Sequence, residues 1–269
     1  MVAALAYPPP SEIGSPSPSG VSLPLWFLTG PPLSEAIFRA VIARIGKGVA
    51  VPLLDSTSAT DGCEQCGEKL SARATQAGGV VLFAHGLSIP AAVAAAKRGG
   101  VRLLILSNGP ITRLDPVSQA LSGLSGSPGA RALVSRVLLH PTLWIPALAS
   151  SLALRRTVVN PYVMDRDNVA SLAEAGVATH DARLAVVAYL RSLRNLPDLT
   201  GLTCPVWAIW GDADPLYPPS EADYLDSTFG GSRHIAIPGG QHYHPEERPW
   251  ELAGAVLELM EREGLSAAS

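Results

Sequence analysis

Six short apolar runs rich in branched side chains constrain this fold more than any other feature of the chain: residues 23–28, 49–54, 80–83, 103–106, 206–210 and 234–237. Most are apolar at successive rather than alternate positions, so both faces of the strands they form must be covered. Helical periodicity fills the intervals at 33–45, 64–76, 89–97, 219–229 and 249–263. This alternation predicts an open, mostly parallel α/β sheet of about six strands with helices on both faces. At 47% apolar residues, the 269-residue chain can fill such a core.

The alternation stops between residues 111 and 200, which reads as several helices without a strand. An insertion after the fourth strand belongs over the carboxyl ends of the strands, where open α/β sheets bind ligands. It is therefore expected to be a helical cap, with 21–110 and 201–269 forming the core. Residues 1–20 include PPPSEIGSPSPSG, too rich in proline and serine to pack, and are expected to form a disordered tail.

A net charge of −3 gives no reason to expect nucleic acid or an anionic membrane as partner. No basic region precedes an apolar stretch near the first residue, so no signal peptide is expected and the cytoplasm is the expected location. The uncharged run VLLHPTLWIPALASSLAL, 137–154, approaches the length of a membrane span. Its prolines, Pro141 and Pro146, would break a lone helix in lipid. An apolar cap or a monotopic surface contact is expected instead, without a transmembrane span. Three cysteines are too few for a disulfide scaffold. Cys63 and Cys66 form a C-x-x-C without a second pair of metal ligands, read as an ordinary reduced pair.

The chemistry-bearing residues lie at strand ends. LFAHGLSIP, 82–90, joins an apolar run to an alanine-rich helix through a sharp turn. Further on, CPVWAIWGDADPLYPP places Asp214 after one strand, and HIAIPGGQHYH places His242 after the next. Two adjacent strand ends would bring the carboxylate and the imidazole together, fixing the tautomer and stabilising the protonated ring. From about residue 22 to 263 the chain resembles the α/β-hydrolase family. That resemblance implies Asp214 as the acid and His242 as the base of a catalytic triad, in the family's order.

The same resemblance implies three departures. The family's nucleophile elbow is Gly-x-Ser-x-Gly; aligned on strand and helix, Ala84-His85-Gly86-Leu87-Ser88 fills those five places and puts Gly86 at the nucleophile position. No acyl-enzyme can form on a glycine. Sliding the frame by two makes Ser88 the alternative nucleophile, followed by Pro90 where the final glycine belongs. The loop that usually supplies an oxyanion-hole N–H reads Thr29-Gly30-Pro31-Pro32, and Pro31 has no N–H to give. Lastly, the proline-rich start leaves no room for the strand pair with which family members usually begin. Thr29, Gly30, Pro31, His85 and Leu87 are expected to line the pocket or former oxyanion region.

His242-Tyr243-His244 could offer two metal ligands, but the family uses this histidine without metal, so neither metal nor cofactor is expected. In the cap, Trp144 and Tyr162 are expected to touch a ligand, and apolar caps favour small lipophilic molecules. Two functions remain open. One is non-covalent acid/base catalysis of lyase, isomerase, cyclase or decarboxylase type by the Asp-His pair; the other is a non-catalytic pseudoenzyme binding a ligand or partner. A third, an esterase-like serine hydrolase, requires Ser88.

Overall fold

A computed structural model describes residues 21–31, 33–54, 60–124 and 126–268; the expected tail, 1–20, lies outside the described residues. The main sheet contains β2 (Leu25–Thr29), β3 (Val49–Val51), β4 (Val80–His85), β5 (Val101–Ser107), β6 (Val206–Gly211) and β7 (His234–Ile237). They are ordered β3-β2-β4-β5-β6-β7, with every neighbouring pair parallel.

Two runs are shorter than their apolar content suggests, and proline is the reason. The 23–28 run breaks at Pro24, which has no N–H to continue a ladder. The residues before it, β1 (Val21–Leu23), pair instead with β8 (Leu265–Ala267) in a separate two-stranded sheet. The 49–54 run stops at Val51, before Pro52. β3 is therefore an edge strand, with Val49 exposed, and among the described residues no strand pair lies beyond it.

The pleat divides the core in two. All of β4 is buried. Val81 and Phe83 pack with Val41 of α1 (Arg39–Ile45) and with Leu252 and Val256 of α11 (Pro249–Arg262). On the opposite face, Leu82 and Ala84 meet Leu70 of α2 (Cys63–Gln76), Val93 of α3 (Ile89–Arg98) and Leu225 of α9 (Ser220–Phe229). Continuous apolar runs are what two covered faces require.

Between β5 and β6 the chain forms α4 (Pro116–Leu124), α5 (Pro128–Leu133), a π-helical turn (Val134–Leu138), α6 (Pro141–Leu148), α7 (Arg166–Val177) and α8 (His180–Ser192). No strand occurs there among the described residues. A one-turn α10 (His244–Glu247) precedes α11.

Candidate active site

The strand order reverses direction once. From β2 the chain crosses to β3 on one side, then returns to β4 on the other. Crossovers leaving in opposite directions open a crevice at the carboxyl ends of β2 and β4, the usual ligand position in an open α/β sheet. Those ends carry Thr29-Gly30 and His85-Gly86.

At Gly86 the backbone turns with φ +62°, the left-handed region in which an L side chain is strained. A Cβ built on Gly86 would stand 3.7 Å from His242 Nε2 and meet nothing closer. The bend is confined on both sides. A Cβ on Gly30 would collide with Leu87, and one on Gly109, just after β5, with the Gly86 carbonyl.

Ser88 does not face this space. Its hydroxyl is buried, donating to the carbonyls of Leu28 at 2.9 Å and His85 at 2.8 Å. It closes the one-turn 3-10 helix Gly86–Ser88 that leads into α3, so the frame with Ser88 at the elbow is not the one the chain adopts.

Asp214 and His242 converge from the loops after β6 and β7. Their Oδ2 and Nδ1 atoms are 2.9 Å apart, and both side chains are buried. Asn108 Nδ2 donates to the same Oδ2 at 2.7 Å, and the Leu216 N–H donates to Oδ1 at 2.7 Å. Burial alone would raise the Asp214 pKa. The neighbouring His242 and these hydrogen bonds outweigh it and hold the carboxyl below the usual carboxylate range. An ionised Asp214 keeps the proton on Nδ1 and turns a basic Nε2 towards Gly86. Asn108 was missed by the sequence reading, although the Asn108-Gly109 dipeptide after a strand is a turn signal. It sits at φ +38°, accepts the Gly211 N–H at 2.8 Å, and so ties the end of β6 to the acid.

Beside the pair lies a row of buried imidazoles. The His85 and His242 rings are 5.0 Å apart. His244 Nδ1 donates to the Gln241 carbonyl at 3.1 Å, which leaves Nε2 to accept from the Ser107 hydroxyl at 3.3 Å. Ser107 Oγ then faces His85 Nδ1 at 3.5 Å, a long contact that assigns the His85 proton to Nδ1. His85 Nε2 is left buried without a partner among the described residues. Burial, then proximity to His242 and His244, lowers the His85 pKa well below the ordinary value. Burial lowers that of His244 to about 4. Both rings are neutral near pH 7.

The crevice opens into a cavity of about 410 Å³. Thr29, Gly30, Pro31, His85, Gly86 and Leu87 line one part; His242, Tyr243 and Tyr217 line another. The helical insertion contributes Leu121, Leu139, Trp144, Leu148 and Leu190. Trp144 Nε1 is buried with no partner among the described residues. Tyr162 is a correction: it is 80% exposed and absent from the lining, because its one-turn helix Pro161–Met164 directs Met164 inward instead. Tyr217, unforeseen from the sequence, donates its hydroxyl to Asp115 at 2.9 Å.

Cys63 and Cys66 are buried one turn apart on α2, packed with Tyr189 and Leu190 of α8. Burial raises the Cys63 pKa, the opposite of what a reactive thiol needs. His242 and His244 turn to different partners, so they do not jointly offer a metal site. Asp223, Asp226 and His234 do bring ligand atoms within 4.8 Å of one another. They lie on α9 and at the amino end of β7, opposite the crevice, and Asp226 is already engaged with His234 Nδ1 at 3.2 Å.

No protein-family model and no curated protein sequence matches the chain. Solved structures do. A thermophilic esterase from Thermogutta terrifontis, malate bound, aligns with TM-score 0.66 at 18% identity over 91% of this chain and 92% of its own. Haloalkane dehalogenase DbeA from Bradyrhizobium elkani gives 0.65 at 18%, over 90% and 91%. An alpha/beta hydrolase fold protein from Burkholderia ambifaria gives 0.65 at 18%, over 89% and 91%. Similarity at this level speaks for architecture and leaves the chemistry to the residues. With six parallel strands flanked by helices, and a helical insertion between the fourth and fifth of them, the chain has the α/β-hydrolase fold.

Proposed function

We propose that this protein is an enzyme that moves a proton on a small lipophilic molecule through Asp214 and His242, with no covalent intermediate and no cofactor. The insertion acts as the cap over the crevice. One observation carries the reading: a buried, oriented imidazole faces a glycine where a serine nucleophile would stand, and the Gly86 Cβ direction is open towards His242 Nε2. A substrate hydroxyl, enol or acidic C–H can approach the ring there. His242 takes or returns the proton, and Asp214 stabilises the imidazolium that forms. Elimination, isomerisation, cyclisation and decarboxylation all use such a step. Hydrogen–deuterium exchange at acidic C–H positions, read by NMR over a panel of lipophilic ketones and lactones in D2O, tests it. The expected result is an acceleration of about 10²–10⁴-fold that disappears in His242→Ala. Exchange that survives in His242→Ala refutes the assignment.

A second reading is a non-catalytic binder, favoured by the simultaneous lack of a nucleophile at Gly86 and of an N–H at Pro31. It requires saturation transfer from protein to ligand with no exchange in either protein.

A further inference from the structure

The net charge of −3 conceals an uneven distribution. Residues 116–164 of the insertion hold four arginines, Arg131, Arg136, Arg155 and Arg156, and no aspartate or glutamate. None of the four is in an ion pair among the described residues. The same stretch is unusually apolar outside as well as inside. Of fourteen large apolar side chains exposed among the described residues, nine fall within it. Leu143 is 53% exposed, Val117 62% and Leu152 82%. Val117, Leu152 and the exposed Arg156 also line the 410 Å³ cavity, so they form its mouth. The nearby acids are already engaged: Asp115 is buried and accepts from the Tyr217 hydroxyl and the N–H groups of Val117 and Ser118, Asp165 accepts the Asn168 N–H, and Glu247 accepts the N–H groups of Val159 and Asn160.

We infer that the insertion docks on an anionic lipid bilayer through the rim of the cavity mouth, Val117, Leu152 and Arg156, so that the mouth opens against the acyl region. Exposed leucines and valines beside arginines are the composition of an interfacial element. Arginine reaches headgroup phosphates while its stem lies along apolar surface. Docking is not spanning: among the described residues no helix is long and apolar enough to cross a membrane. Docking is independent of whether the site turns over or only binds. It supplies a lipophilic ligand from the phase in which such a ligand concentrates.

Sedimentation of the full chain with phosphatidylcholine vesicles, with and without phosphatidylglycerol, tests the inference. The expected result is partitioning to the anionic vesicles that weakens as salt is raised. Arg156→Gln weakens it about fivefold, the ratio equivalent to ~1 kcal/mol per basic side chain at an anionic surface. Leu143→Asp with Leu152→Asp abolishes it, while circular dichroism shows the fold intact. Three results would each overturn the inference: no partitioning to anionic vesicles, equal partitioning to both vesicle types, or a native dimer in light scattering that the leucine substitutions dissociate.

Discussion

Gly86→Ser tests the proposed vacancy directly, because it adds a Cβ and a hydroxyl on the side facing His242. The Cβ position is 3.7 Å from His242 Nε2 with nothing nearer, so in the rotamer that faces the ring a hydroxyl one bond further can reach the roughly 2.6–3.2 Å at which a base activates a nucleophile. The φ of +62° is available to a serine at a strain of about 1–2 kcal/mol. For a domain of this size that lowers the melting temperature by roughly 2–8 °C. The variant is expected to fold, to be labelled at Ser by a fluorophosphonate probe, and to hydrolyse p-nitrophenyl esters slowly. Turnover stays slow because Pro31 supplies no N–H to the developing oxyanion, a deficit worth about 10²–10³ in rate. Pro31→Ala in the Gly86→Ser background recovers part of that factor. Mass spectrometry of the labelled peptide is the assay. Labelling of the unmodified protein at Ser88 would refute the reasoning, as would a folded Gly86→Ser variant that no probe labels.

Ser88→Ala removes the hydroxyl that joins the Leu28 and His85 carbonyls, and is expected to reduce stability by about 1–2 kcal/mol while leaving proton exchange unaltered. Exchange lost in that variant would return Ser88 to the chemistry. Asn108→Leu strips a donor from the buried Asp214 and an acceptor from the Gly211 N–H, with an expected destabilisation of about 2–4 kcal/mol. An unchanged urea midpoint contradicts the bridging role. Acid is expected to destabilise the fold through His244, whose folded pKa of about 4 lies below its unfolded value of 6.5. As pH falls the unfolded chain binds the proton first, so stability is full above about pH 6.5 and is lost down to about pH 4, some 3 kcal/mol in all. His85, also lowered, acts in the same direction, and Asp214 adds its own loss once pH drops through the carboxylate range. A urea midpoint flat between pH 7 and 4.5 refutes this.

The sheet was legible because its signal is local. Residues buried on both faces are apolar in succession; the two runs that proved too long are cut at Pro24 and Pro52, where a proline interrupts the ladder, while β4 and β5 run on to His85 and Ser107 beyond their expected ends. Asp214 and His242 were legible because each follows a strand through a glycine-bearing turn. The residues around them were not. Ser107 and His244 lie far apart in the chain and meet only when β5 and the turn after β7 pack side by side. Nothing in the local pattern of His242-Tyr243-His244 says that alternate imidazoles turn to a carboxylate and to a hydroxyl. Tyr162 was overrated for the converse reason: an aromatic residue in a helical insertion carries no mark of the side on which its turn leaves it.

The crowding around the bend between β4 and α3 has a consequence for how this protein can change. Of the three bare positions that meet there, 30 and 109 are shut by neighbouring atoms, so any side chain would push the strand ends apart. Position 86 alone has space in front of it. Innovation at this junction is therefore channelled to a single codon, and whatever group arrives there is presented directly to a ring already oriented to receive it.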